Sequence, residues 1–155
     1  ENPQVSHTYY LGWSPEGLEV AGDISDSLMD FPGKDWAWEG DYLSVMVEFS
    51  RTGGGNASIY FQVYPVGDGP DGLRPYAAAW WGNGDGGPVK VATKAKPGGY
   101  TIEALFPPAS IPGLPLSPGG KMTVYLGYRD VSGIYETRWD GDVVLKPAPS
   151  GEVSR

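Results

Sequence analysis

The sequence predicts an all-β protein, an antiparallel, jelly-roll-like β-sandwich of roughly nine to eleven short strands. Short apolar runs alternate with polar residues at the period of half-buried strands. The 24 glycines and 15 prolines lie between these runs, where turns are needed, and the pattern leaves room for almost no helix. The 155 residues are expected to form a single domain over residues 1–145, followed by a linker or tail over residues 146–155.

The first half of the chain predicts a hairpin and two further strands. Residues 9–13 and 18–24 alternate on either side of the turn at residues 14–17, which is the pattern of a β-hairpin. Residues 42–49 form the clearest strand, and residues 59–63 form the next one.

The second half predicts a long Gly-, Asp- and Pro-rich loop over residues 65–75 and then a series of short strands. A Pro-rich crossing over residues 107–118 is expected to contain one helical turn at residues 109–111. The remaining strands are expected over residues 76–81, 89–95, 100–106, 122–128, 136–139 and 143–145.

The side of the strands that faces away from the core is unusually aromatic. In a simple sandwich this side should be polar, but here the apolar core positions alternate with Tyr42, Met46, Tyr60, Tyr64 and Tyr125. These side chains either form an aromatic groove or are covered by loops, and periodicity alone leaves both possibilities open.

Charge and composition exclude several kinds of partner. A net charge of −8 repels phosphate backbones, so we expect no nucleic-acid partner. The absence of cysteine excludes disulfides and thiolate metal sites, although it does not exclude secretion. Because no run approaches the ~18 continuous apolar residues that a spanning helix needs, we expect no membrane partner.

Five of the six tryptophans lie in glycine- or charge-rich segments. Trp36 and Trp38 are two positions apart and face the same way if extended, Trp80 and Trp81 precede a Gly-rich stretch, and Trp139 lies in the sequence RWDG. An indole packs on the apolar C–H face of a sugar ring, while nearby polar groups bind the hydroxyls. The pattern favours sugar binding, and the alternative is that these side chains cover open ends of the core.

Acidic residues crowd the segment from residue 23 to residue 41. A glycosidase needs two carboxylates at a set separation, which sequence spacing does not establish, and aspartate is also common in turns. Calcium prefers several oxygen ligands. Three pairs of loop aspartates are candidates for such a site, namely Asp23/Asp26, Asp68/Asp71 and Asp140/Asp142.

The only histidine, His7, is expected near a frayed terminus, and a single histidine without cysteine cannot form a transition-metal cluster. A haem iron could take His7 or a methionine (Met29, Met46 or Met122) as an axial ligand. A methionine that fills a packing gap is the simpler interpretation.

Four stretches, in order, resemble the family 9 carbohydrate-binding modules and the wider group of β-sandwiches that includes haem-binding DOMON-type domains. They are residues 10–26 (YLGWSPEGLEVAGDISD), 38–48 (WEGDYLSVMVE), 98–106 (GGYTIEALF) and 127–130 (GYRD), the last followed by Arg138 and Trp139. The resemblance extends over most of the chain and rests on the order and spacing of the stretches.

The resemblance implies a site in which two tryptophans sandwich a sugar, with Trp38 as one wall and Trp139 as the other. It implies Asp41, Gln62, Arg138 and Arg129 as hydrogen-bonding neighbours. Trp36 would extend the first wall or pack beneath it, and Trp80 and Trp81 are further candidates for stacking. The family has an acidic residue where this chain has Ser44, and a basic residue where it has Gln62. The family also often holds structural calcium, whose ligands the resemblance does not name.

We therefore expect a non-catalytic carbohydrate-binding module of an extracellular polysaccharide-active enzyme, tethered to a catalytic domain. Its partner would be a plant cell-wall polysaccharide or oligosaccharide. The alternatives are a haem-binding electron-transfer domain of the DOMON type, a small glycan-degrading enzyme that uses the acidic cluster, and a purely structural accessory domain.

Overall fold

The computed structural model describes residues 5–26, 40–67, 73–79, 88–130 and 135–147, with side chains except at 65–67, 73–79 and 135–138. These residues form strands and turns without a helix. The strands are β1 (Val5–Ser14), β2 (Gly17–Asp26), β3 (Tyr42–Ser50), β4 (Asn56–Gly67), β5 (Leu73–Ala79), β6 (Lys90–Lys96), β7 (Gly99–Phe106), β8 (Lys121–Asp130) and β9 (Tyr135–Val144).

The strands form two antiparallel sheets. A four-stranded sheet, here called sheet A, has the order β1-β2-β7-β6, and a five-stranded sheet, sheet B, has the order β5-β4-β3-β8-β9. The predicted all-β sandwich is therefore confirmed, and the nine strands of the described residues lie at the lower end of the predicted number. Within the same residues there is no helix long and apolar enough to cross a membrane.

The core lies between the two sheets and follows the alternation in the sequence. On β2, Leu18, Val20 and Ile24 are almost completely buried, while the intervening side chains face outward. The aromatic rings of Phe61 and Phe106 meet across the sandwich with centroids 4.7 Å apart. The other inward positions of the central strands include Leu43, Val45, Val47, Val63, Tyr100, Ile102, Val124, Leu126 and Tyr128.

The last strand differs from the prediction. Residues 136–139 and 143–145 were expected to be separate strands with a polar turn between them, but β9 runs unbroken from Tyr135 to Val144. Asp140 and Asp142 pair with Tyr125 and Thr123 of β8 and lie on the solvent side, where Thr123 Oγ1 donates a hydrogen bond to Asp142 Oδ1 at 2.7 Å. The polar residues on the outward face of β9 therefore have the same local composition as a turn, which is why the sequence predicted one.

The expected loop over residues 65–75 was also wrong at both ends. Strand β4 continues to Gly67 and β5 begins at Leu73, so that Pro65 pairs opposite Pro75. The strand pairing tolerates these prolines because β5 is an edge strand and β3 pairs with β4 only as far as Val63. The strand expected over residues 76–81 is part of β5, and residues 80 and 81 lie outside the described residues.

Two smaller expectations also need correction. His7 does not lie in a frayed terminus, since it pairs with Ile24 inside the β1–β2 ladder. The helical turn expected at residues 109–111 is instead part of two successive turns. In these turns, Ser110 N–H donates to the Pro107 carbonyl at 2.8 Å and Leu114 N–H to the Ile111 carbonyl at 3.1 Å.

Candidate functional site

The outer face of sheet B, which points away from sheet A, carries most of the expected ligand-binding residues that the structure describes. Strand register places Tyr42 of β3 next to Arg129 of β8, and the Arg129 guanidinium carbon lies 5.7 Å from the centre of the Tyr42 ring. Tyr64 packs on the other side of Tyr42 with ring centroids 5.5 Å apart. This end of the face is therefore an aromatic row that finishes in an exposed cation.

The next row across the same face consists of polar and small residues. Gln62 pairs with Ser44, Ser44 with Gly127, and Gly127 with Arg138. Two small residues thus lie between an amide and the strand position of an arginine. A row that combines an amide and a hydroxyl with small residues suits a polyhydroxylated ligand, because such a ligand needs both donors and acceptors at close range.

Gln62 is held in place by tyrosines of its own strand. Tyr64 Oη donates a hydrogen bond to Gln62 Oε1, and Gln62 Nε2 donates to Tyr60 Oη at 3.1 Å. These two contacts define opposite ends of the amide. The Gln62 side chain is therefore oriented before any ligand arrives, which lowers the entropic cost of binding.

The outward aromatic side chains were expected either to form an open groove or to be covered. Some of them are buried and others are accessible. Tyr42 and Tyr64 are only 6% and 2% exposed, so neither offers an open ring. Tyr60, Met46 and Tyr125 are half-buried and remain accessible from solvent. Among the described residues, the accessible aromatic rings on the outer face of sheet B therefore lie in the middle of the face.

The far side of this face is acidic. Tyr125 Oη donates to Glu48 Oε2 at 3.1 Å, and the hydrogen bond, together with burial and the nearby charges of Glu48, Asp140 and Asp142, raises the pKa of Tyr125. The phenol consequently stays protonated and remains a donor at neutral pH. The carboxylates of Glu48, Asp140 and Asp142 nevertheless make hydrogen-bond acceptors the majority at this end of the face, opposite the end that carries Arg129.

Trp139 lies at the rim of the sandwich, on the inward side of β9 and not on the outer face of sheet B. It pairs with the inward-facing Leu126 on edge strand β9 and is 46% exposed. Its indole lies over Gly141, where an added Cβ would be 3.0 Å from Trp139 Cζ2. By strand alternation, Trp139 faces away from the row of Gln62. The structure therefore does not bring these two expected ligand contacts onto one face.

The other expected aromatic walls cannot be compared with this geometry. Trp36, Trp38, Trp80 and Trp81 lie outside the described residues. Their assignment to the site stays a prediction.

Three buried aspartates meet at the end of the sandwich where β2 and β8 stop and β3 begins. Asp26, Asp41 and Asp130 are at most 2% exposed, and one carboxylate oxygen from each lies within 4.8 Å of the others. Asp41 therefore faces the interior and not the outer face of sheet B. Its expected contact with a sugar stays a prediction, while its carboxylate lies close to those of Asp26 and Asp130.

The three carboxylates could hold a metal ion. Calcium binds carboxylate oxygens at about 2.3–2.6 Å, so two ligands on opposite sides of the ion lie about 5 Å apart. The observed spacing of up to 4.8 Å fits this geometry. Tyr128 Oη donates to Asp26 Oδ2 at 3.0 Å and orients that carboxylate. Burial raises the pKa of the Tyr128 phenol, which therefore remains a donor.

Sequence spacing predicted only one member of this cluster. Asp26 was paired with Asp23, but residues three apart on a strand face opposite ways, and Asp23 forms an ion pair with Lys96 on the outer face of sheet A. A usable signal was present in the sequence, because each of the three aspartates stands two positions from an inward apolar residue. These neighbours are Ile24, Leu43 and Tyr128.

The candidate haem ligands do not converge. His7 lies on the inward side of β1, with its ring 4.8 Å from that of Tyr9, whereas Met46 lies on the outer face of sheet B. Met122 is 4% exposed and belongs to the core. Met29 lies outside the described residues.

The comparisons with known proteins agree with this fold. No protein-family model and no curated protein sequence matches the chain. The fold is similar to a family 9 carbohydrate-binding module from Caldicellulosiruptor kristjanssonii in complex with cellotriose, with a TM-score of 0.65 and 15% identity over 100% of this chain and 82% of that one. The complex with glucose gives a TM-score of 0.67 and 15% identity over 99% of this chain and 83% of that one. The resemblance to family 9 modules is thereby confirmed at the level of the fold.

Proposed function

We propose that this chain is a non-catalytic carbohydrate-binding module. The observation that carries the proposal is the structural likeness to a module solved with cellotriose and with glucose, which covers 100% and 99% of the chain. The likeness extends over the whole sandwich and is not confined to one hairpin. The oriented amide of Gln62 and the exposed Arg129 support the proposal chemically.

The ligand would be a neutral oligosaccharide or polysaccharide of plant cell walls. The Trp139 indole is one wall of the sugar slot at the rim of the sandwich, and Trp38 is the opposite wall. Gln62, Arg129 and Arg138 are proposed to supply hydrogen bonds to hydroxyls on the outer face of sheet B, so a glycan that also contacts Trp139 has to pass over edge strand β9. Because a guanidinium presents paired donors, it can bind two neighbouring hydroxyls at once.

The proposed biological setting builds on the structural likeness to carbohydrate-binding modules. A module that only binds increases the time an attached enzyme spends on its substrate, through effective concentration. We therefore propose that the chain is extracellular and is tethered to a catalytic domain that acts on polysaccharides.

Asp26, Asp41 and Asp130 are proposed to hold a structural calcium ion. The ion would neutralise three buried carboxylates, which otherwise repel one another in a region of low dielectric constant. Its chemical contribution is to hold the ends of β2, β3 and β8 together. The proposal is supported by the burial and spacing of the three carboxylates.

The test is calorimetric titration of the domain with cellobiose, xylobiose and their reduced alditols. We expect Trp139→Ala and Trp38→Ala each to weaken binding by about tenfold or more, since aromatic stacking contributes about 0.5–1.5 kcal/mol beyond the buried area. Trp139→Phe is the matched control, because it keeps an aromatic ring at the same position.

Circular dichroism of each variant must show an intact fold. A wild-type protein that binds none of these sugars, and no insoluble cellulose or xylan, would contradict the proposed function. Sugar binding that survives both alanine substitutions would contradict the two-wall slot alone.

A further inference from the structure

The outer face of sheet A contains a recess that the site described above does not use. Its volume is about 520 Å³, and it spans all four strands. Strand register arranges its lining in two neighbouring rows. The first row runs from Tyr10 through Ala21 and Glu103 to Ala92, and the second includes Gly12 and Lys90.

The recess exists because small residues occupy its floor. Gly12, Ala21 and Ala92 have little or no side chain, whereas Tyr10 at the edge strand is 59% exposed. The Glu19 carboxylate leans towards Gly12, where an added Cβ would lie 3.6 Å from Glu19 Oε2. An exposed aromatic ring and a carboxylate thus border a low surface, which is an arrangement suited to a flat ligand with hydroxyl groups at its edge.

The charge of this face differs from that of the whole chain. The chain carries a net charge of −8, but the outer face of sheet A is balanced. Its charged positions in the described strands are three acids and three lysines, namely Glu19, Asp23, Glu103, Lys90, Lys94 and Lys96. A face with interspersed donors and acceptors and no net charge complements a neutral polyhydroxylated ligand better than an ionic one.

We propose that this recess is a second carbohydrate-binding surface, which takes several consecutive units of a neutral glycan chain with Tyr10 as the stacking platform. The proposal rests on the proposed function, because it assumes the same class of ligand. It differs in site, since the recess and the sheet B row of Gln62 point away from each other. The two surfaces would let one domain hold two glycan chains, or two distant parts of one chain.

The test is titration of the isotopically labelled protein with cellohexaose, followed by NMR. We expect the methyl signals of Ala21 and Ala92 to shift with a dissociation constant of their own. Tyr10→Ala should weaken that binding by about two- to tenfold, which is the size of an aromatic stacking contribution. The shifts near Trp139 should remain.

Two variants control this result. Tyr10→Phe keeps the platform and should retain binding, and Thr8→Ala removes an exposed side chain of the same strand face outside the recess and should have no effect. If cellohexaose shifts signals near Trp139 but leaves Ala21 and Ala92 unchanged, the second surface is refuted while the proposed function stands. If it shifts neither set, the second surface is refuted, and the proposed function is then decided by the titrations with cellobiose, xylobiose and the insoluble glycans described above. A concentration-dependent dimer in sedimentation that Tyr10→Ala abolishes would identify the recess as a self-association surface and would also refute the proposal.

Discussion

At Trp139, the position of the indole depends on the absence of a side chain two residues later. Gly141 lies on the same side of β9, and a Cβ there would be 3.0 Å from Cζ2 and 3.1 Å from Cη2 of Trp139. These atoms belong to the far end of a partly exposed side chain, so the ring can move without disturbing the core. The glycine therefore sets the position of the candidate sugar wall and contributes little to folding.

Gly141→Ala should consequently separate binding from stability. We expect the free energy of unfolding to change by less than about 1 kcal/mol, as for a surface substitution. Sugar affinity should fall by roughly threefold or more, because part of a stacking contribution of about 0.5–1.5 kcal/mol is lost. Urea denaturation and calorimetric titration measure the two quantities. An unchanged affinity would show that Trp139 does not contact the ligand.

His7 makes stability depend on pH. Burial lowers the pKa of its imidazole below the usual value of 6.5, so the unfolded chain takes up the proton first as pH falls. Stability should therefore be full above about pH 7.5 and should decrease as pH falls through about 6.5. Because the chain has one histidine, His7→Gln should remove this slope from urea denaturation between about pH 7.5 and pH 5.5. The same slope in the variant would assign the effect to other groups.

At the scale of elements, the β6–β7 hairpin depends on two adjacent glycines with different tasks. Gly98 has φ of +69°, a left-handed conformation, and a Cβ there would meet nothing within 4 Å. Gly99 closes against β2, since a Cβ at this position would lie 2.0 Å from the Ile24 carbonyl oxygen. The Asp26 N–H also donates to the Gly98 carbonyl at 2.9 Å. The turn thus joins the hairpin to the strand that ends at the carboxylate cluster.

Gly99→Ala should destabilise the domain by about 3 kcal/mol or more, because the backbone of β2 must move to accept the methyl group. For a domain of 155 residues, that corresponds to a melting temperature lower by roughly 6–12 °C. Gly98→Asn is the matched control, and it should cost about 1 kcal/mol or less because asparagine tolerates the left-handed region. Equal thermal shifts for the two variants would contradict the assigned close approach.

At the scale of the whole molecule, the proposed calcium ion would connect both sheets. Asp26 ends a strand of sheet A, whereas Asp41 and Asp130 flank strands of sheet B. A ligand that binds only the folded state at a hundred times its dissociation constant stabilises that state by about 2.7 kcal/mol. Removal of calcium by a chelator should therefore lower the melting temperature by roughly 5–10 °C.

Asp130→Asn should abolish most of that calcium-dependent shift, and Asp142→Asn, on the outer face of sheet B, should preserve it. The comparison uses the difference between calcium-loaded and chelated protein, because removing one of three like charges can itself stabilise the calcium-free form. Identical melting with and without chelator in the wild-type protein would refute the calcium site.

The amino-acid pattern by itself determined the fold class and most of the core. Alternating residues such as Leu43, Val45 and Val47 can bury one side only in an extended strand, and many short strands of this kind separated by turns predict a sandwich. It also determined the charge balance and hence the classes of partner that are disfavoured. Where local composition was the only guide, as at Asp140–Asp142, a polar strand face resembled a turn.

Only the tertiary structure decided which distant residues meet. Asp130 is far along the chain from Asp26 and Asp41, and the three converge because three strands begin or end at one edge of the sandwich. The direction of Trp139, away from the row of Gln62, follows from the register between β8 and β9. The recess beside Tyr10 requires the small residues of β1, β2 and β6 to align with one another and with β7 in adjacent rows. Register and strand order arise from packing between segments distant in sequence, which the periodicity within any one segment does not contain.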